Sequence, residues 1–133
     1  MAIQRDIYVL DWVIPERVLL LRYTKPEPLT SDVLTQIGAD LTTLIEDGVA
    51  PIHLITDSNL QGDVKVNIAA MREAFTVFED KRWGWVMLVG LNRVSNFFAN
   101  VMCNIFRIKF ETPKSVEAAI KRLHKLDESL AGN

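Results

Sequence analysis

Residues Ile52 to Ile55 form a short apolar run, interrupted only by His53, that opens into a polar loop from Asp57 to Asp63. Gly48 and Pro51 separate the run from the segment before it. A short apolar run bounded by turn residues reads as a strand buried on both faces. Trp85 to Val89 is a second such run, ending at Gly90. Stripes at helical spacing lie before, between and after these two runs. Strands covered on both faces and joined by helices have to lie parallel in a sheet with helices packed on it. In such sheets the carboxyl ends of the central strands collect ligands. That makes the loop after Ile55 the first place to look for a site.

The remaining elements follow from the same periodicities. Ile7, Tyr8 and Val9 favour a first strand, Val13 to Glu16 a turn around Pro15, and Arg17 to Tyr23 a second, antiparallel strand. Lys25 to Pro28 cannot be helical, because Pro26 and Pro28 lack donors and restrict their predecessors. Thr30 or Ser31 then caps a helix with an apolar stripe of Val33, Leu34, Ile37, Leu41, Leu44 and Ile45, closed by Gly48. Val64, Ile68, Met71, Phe75 and Phe78 predict a second, long helix capped by Asp63. Val94, Phe97, Phe98, Val101, Met102 and Ile105 predict a third. Phe106 to Glu111 alternates as an edge strand does, and Thr112-Pro113 starts a last helix burying Val116, Ala119, Ile120, Leu123 and Leu126. The expectation is one α/β domain over residues 1–133, in the order ββαβαβαβα, with a five-stranded mostly parallel sheet and four helices.

Bulk properties exclude several classes. With 49% hydrophobic and 24% charged residues, the chain has the composition of an ordinary globular domain. No apolar run approaches the ~20 residues that span a bilayer. Met1 to Asp6 carries no signal-peptide pattern, and the single cysteine, Cys103, leaves no internal disulfide. A cytoplasmic protein is expected. The net charge of −2 argues against a nucleic-acid partner. Its distribution is uneven: residues 1–64 hold four Lys/Arg against ten Asp/Glu, and residues 65–133 hold eleven against seven. Such a split can orient a partner or let two copies form a homodimer.

Catalytic and cofactor patterns are absent from the sequence. His53 and Asp57 are four apart on a strand, roughly 13 Å at ~3.3 Å per residue, so they form no dyad. His53 reads as a hydrogen-bonded core histidine and His124 as a surface one. Two histidines and one cysteine give no metal-ligand spacing, and neither a glycine-rich phosphate loop nor a Gly-x-Ser-x-Gly elbow occurs. No cofactor is implied, and a non-enzymatic role is expected.

The order of elements resembles the STAS fold, and within it the SpoIIAA-like branch of bacterial proteins, which is itself similar to lipid-binding CRAL-TRIO modules. Trp83-Gly84-Trp85, Phe97-Phe98-Ala99, Ile105 to Ile108 and the helix from Ser115 to Ala119 support that likeness locally. Signalling antagonists of the STAS type carry an Asp-Ser-Ser/Thr-Gly turn after the third strand, where a kinase phosphorylates a hydroxyl. Here the matching stretch is Asp57-Ser58-Asn59-Leu60-Gln61-Gly62, with Asn59 at a hydroxyl position and the glycine displaced.

Two candidate sites result. The first is the loop, with Ser58 as phosphoacceptor candidate and Asp57, Ser58, Asn59 and Asp63 as partner-binding candidates. A phosphate at a helix N-terminus meets free amides, and it adds about two negative charges. The same three residues, 57 to 59, equally serve to satisfy backbone groups in a strand-to-helix turn. The second is an apolar-ligand gate of Val94, Phe97, Phe98 and Val101 on a mobile helix, as in the lipid-binding relatives, with peripheral contact to an anionic membrane as a variant. Against it stands the reading that Phe97, Val101 and Ile105 are plain core.

Overall fold

The structure is a computed structural model that describes residues 2–132. Its elements are β1 (Ile3–Gln4), β2 (Tyr8–Ile14), β3 (Val18–Tyr23), β4 (Leu29–Thr30), α1 (Ser31–Ile45), β5 (Ile52–Asp57), β6 (Val64–Lys65), α2 (Ile68–Phe75), β7 (Trp83–Val89), α3 (Arg93–Ile105), β8 (Phe110–Glu111) and α4 (Val116–Leu126). Short 3-10 turns follow α2 at Thr76–Glu79 and α4 at Glu128–Gly132. One sheet runs β1-β2-β3-β5-β7-β8, with β3, β5, β7 and β8 mutually parallel and β1 and β2 antiparallel to their neighbours. The α/β class, the four helices and the mixed sheet agree with the sequence.

Helices α1, α2 and α3 cover one face, where Leu10, Leu19, Leu21, Leu54, Val86 and Leu88 meet Leu41, Leu44, Met71 and Met102. The other face packs Val18, Ile55, Met87 and Val89 against Ala119 and Leu123 of α4 and Leu130 of the turn after it. Ile52, Leu54 and Ile55 are at most 1% exposed, which places β5 in the middle of both layers. Burying each such side chain contributes roughly 1.5–3 kcal/mol.

Several boundaries depart from expectation, each for a local reason. The sheet has six strands because Ile3–Gln4 adds to the edge of β2, pairing with Leu10 and Val9. Val64–Lys65 does not begin α2; it pairs in parallel with Leu29–Thr30 as a separate two-stranded sheet. The helix starts four residues later, capped by Asn67 and not Asp63, with Asn67 Oδ1 accepting from Ala70 N at 2.7 Å. Of the alternating segment 106–111 only Phe110–Glu111 joins the sheet. Phe106 and Arg107 close α3, where Arg107 turns left-handed at φ 54° and Ile108 N–H reaches Cys103 O at 2.8 Å. Ser115, not Thr112, caps α4 through Ala118 N at 3.0 Å. Gly48 lies beyond the end of α1 and supplies no left-handed cap; Thr30 does cap its start, weakly, at 3.4 Å.

Candidate functional site

The carboxyl ends of β3, β5 and β7 converge on one place, and a cavity lies directly beneath it. Its floor is the sheet face carrying Leu21, Leu54, Val86 and Leu88. Its walls are Leu34, Ile37 and Leu41 of α1, Met71 and Phe75 of α2, and Phe98, Ala99 and Cys103 of α3. The volume is about 120 Å³. Ligand pockets for drug-sized molecules run from ~300 to 1,000 Å³, so this one takes a much smaller occupant unless a helix moves.

Polar groups gather at the strand-end side: Tyr23, Thr56, Ser58, Gln61 and Ser95. The reason is the alternation of β5, which turns Leu54 and Thr56 to one face and Ile55 to the other. Ser95, in the first turn of α3, donates to Gln61 Oε1 at 2.5 Å, and Gln61 also hydrogen-bonds Tyr23. Thus the loop after β5 and the start of α3 are tied together across the cavity mouth. Burial pushes the Tyr23 phenol up to about 12, only partly offset by Gln61, and pushes the Cys103 thiol up to about 11. No Lys, Arg, His, Asp or Glu lines the cavity. Its wall is uncharged at neutral pH.

The loop itself is held by its own side chains. Asp57 accepts from Asn59 Nδ2 at 2.7 Å, from Asn59 N at 3.2 Å and from Arg22 Nε at 3.1 Å. Burial raises the Asp57 carboxyl, but these bonds outweigh it and hold the group below its ordinary range. Gly62 passes so close to Glu27 that a Cβ would stand 2.3 Å from its carbonyl oxygen. At Gly90 the backbone is left-handed, at φ 75°, with Asn59 against it. Asn59 and Asp63 are exposed, as partner contacts have to be. Ser58 is only 5% exposed and lines the cavity, and the next helix in the chain, α2, begins ten residues further on. That geometry favours Ser58 as a wall residue.

The gate candidates divide. Phe98 lines the cavity, whereas Val94 and Phe97 are 55% and 62% exposed. With Val101 and Ile105, the latter 46% exposed, they form a second stripe along α3 at steps of three, four and four. Phe97 and Ile105 are therefore not core. Phe97 packs edge-on against Phe98, ring centroids 5.6 Å apart.

His53 is 1% exposed and fully engaged: Nδ1 accepts from Trp85 N–H at 2.9 Å and Nε2 meets Asp127 Oδ2 at 2.8 Å. Its partner, Asp127, was not apparent from sequence. Among the described residues no group of three His, Cys, Asp or Glu side chains is placed to hold a metal ion, and no helix is long and apolar enough to cross a membrane. No family model, no curated protein and no solved structure matches the chain.

Proposed function

We propose that this chain is a non-enzymatic, STAS-like binding module of the SpoIIAA-like kind that takes a small apolar ligand in the cavity between the sheet and α3. The observation that carries the reading is an uncharged cavity whose mouth is closed by the loop after β5 and the first turn of α3. The two candidate sites thereby become one, with the loop as its polar end and Phe98 as part of its cover. A non-enzymatic role is supported by His53, whose two nitrogens are spent on structural bonds, and by Cys103, whose buried thiol stays protonated.

Benzene is a suitable first probe, since an apolar cavity of ~150 Å³ is known to admit it. Added to isotope-labelled protein, it should shift the methyl resonances of Leu34, Met71 and Leu88 saturably, and Ala99→Phe should abolish the response while leaving the spectrum folded. Methyl shifts that grow linearly without saturation would end the reading.

A second reading is supported by the outer face of α3. Arg93 and Arg107 flank the exposed stripe, and no acidic residue occurs from Lys81 to Phe110. An apolar stripe on a helix whose own stretch of chain carries no acidic residue suits the surface of an anionic bilayer. Phe97→Asp should reduce binding to phosphatidylserine-containing vesicles at least tenfold at low salt, with a stability change within about 0.5 kcal/mol, as expected for an exposed site. Vesicle flotation measures it; equal binding by the variant removes the membrane from the account.

A further inference from the structure

Within the cavity one group is out of balance. Thr56 Oγ1 is the only buried side-chain oxygen or nitrogen among the described residues that has no hydrogen-bond partner. Two of the polar bonds beside it are already made, Ser95 to Gln61 and Gln61 to Tyr23, and neither reaches Thr56. A hydroxyl both donates and accepts, and burying one without a partner is unfavourable unless something else meets it. Thr56 as a residue is half-buried near the end of the central strand, but its Oγ1 is itself buried, and the residue lines the cavity. A structure that keeps a hydroxyl there gains from a molecule that brings an oxygen to it.

We infer that the cavity selects a small neutral molecule carrying one hydroxyl or comparable oxygen, bound by Thr56 Oγ1 with its apolar body among Leu54, Leu88, Met71 and Phe98. This rests on the reading of the cavity as a binding site and adds what that site prefers. Neutrality follows from the wall: with no charged side chain in it, a carboxylate, phosphate or ammonium would lose its hydration with no opposite charge in return. Size follows from the volume, about 120 Å³, which suits a single six-membered ring and not an extended acyl chain. The cavity beneath the loop after β5 is thus not an anion site, in spite of its position at the strand ends.

The test uses three probes of similar size, phenol, toluene and benzoate, titrated at pH 7 into the full chain and its variants by methyl NMR. Phenol and toluene should both saturate in the wild-type protein. Thr56→Val removes the oxygen and keeps the shape. It should weaken phenol at least fivefold while toluene stays within about threefold, the unchanged toluene affinity showing that the cavity is intact. Thr56→Ser, which keeps the oxygen, should retain the preference for phenol. Benzoate should neither saturate nor displace phenol. A phenol-to-toluene ratio identical in wild type and Thr56→Val, or benzoate competing with phenol, overturns the inference and leaves the cavity a binding site. Failure of all three probes to saturate overturns the binding-site reading, and the inference with it.

Discussion

Asp127→Ala should destabilise the fold by about 3–5 kcal/mol, the cost of removing one partner from a buried ion pair. In thermal unfolding that is a drop on the order of 10–20 °C for a domain of this size. The reason is a network that joins three distant parts of the chain. Asp127 Oδ2 accepts from Arg17 Nη2 and from His53, each at 2.8 Å. Oδ1 accepts from Ser129 N at 3.0 Å and Ser129 Oγ at 2.5 Å. The side chains of Arg17, Asp127 and His53 are 9%, 13% and 2% exposed, so water cannot replace the lost carboxylate. Arg17 would keep its bonds to Pro51 O and Ser129 Oγ but would be a buried charge without a counter-charge. Asp127→Asn should cost less, since its amide oxygen still accepts from His53. Chemical denaturation of the three proteins checks the order, and a loss below about 1 kcal/mol for the alanine variant would contradict it.

The same network sets a pH dependence. Because Nδ1 accepts from Trp85 N–H, the ring proton sits on Nε2 and donates to Asp127. Charging the ring would put an N–H against the Trp85 N–H. Burial lowers the His53 pKa from its ordinary value of 6.5, and Asp127 offsets only part of that. In the unfolded chain the ring takes up its proton near the ordinary value, so the unfolded state binds more protons as pH falls. The stability from neutral His53 is therefore complete above about pH 6.5 and declines as pH drops through that value to the depressed folded one. Asp127, held down to about 2 by its bonds to Ser129 and His53 against the opposing effect of burial, loses its contribution only in stronger acid, as pH falls from its ordinary value towards 2. Gly84 belongs to the same arrangement, since a Cβ there would stand 2.5 Å from His53 Nδ1.

What the sequence made legible was what repeats along it. The apolar runs at Ile52 and Trp85 and the stripe of α1 declared a covered sheet and its helices, because burial on two faces or on one leaves a periodic trace. Two-residue strands leave none. Val64 and Ile68 have the spacing of one helix face, so nothing local separates β6 from the first turn of α2. On α3 the difficulty is the reverse, because Val94, Phe97, Val101 and Ile105 and the set Phe98, Met102, Cys103 both keep helical spacing. Only the sheet decides which faces inward, and it takes the second set, with Val101 half-buried at the boundary and packed against the same core. Asp127 lies 74 residues from His53, beyond any local pattern. Thr56 was passed over too: it stands two residues after Leu54 on the same strand face, and only the cavity gives that polar residue a meaning.

Asp40→Ala should cost roughly 2–3 kcal/mol, chiefly for leaving the buried Tyr8 hydroxyl without an acceptor. Tyr8 OH donates to Asp40 Oδ2 at 2.6 Å from a side chain only 1% exposed, and Gln36 adds a longer bond at 3.3 Å. Arg5 also grips the carboxylate, at 2.7 and 3.0 Å, but it reaches in from solvent and contributes nothing to that figure. Burial raises the Asp40 carboxyl, yet the bonds from Arg5 and Tyr8 outweigh it and keep the group ionised below its ordinary range. Asp40→Asn should lose less, because it still accepts from Tyr8. The consequence reaches the cavity. This network fastens α1, one wall, to the amino-terminal strands, whereas α3, the opposite wall, is held to the loop by the neutral Ser95–Gln61 bond. Between walls tied so unequally, the one that yields is α3. Amide hydrogens of α3 should therefore exchange through local opening at a lower free energy than those of α1, which should exchange only with global unfolding. Asp40→Ala should then lower α1 protection by its full stability cost and leave the opening of α3 nearly unchanged; equal protection of the two helices in the wild-type chain would show that α3 is no gate.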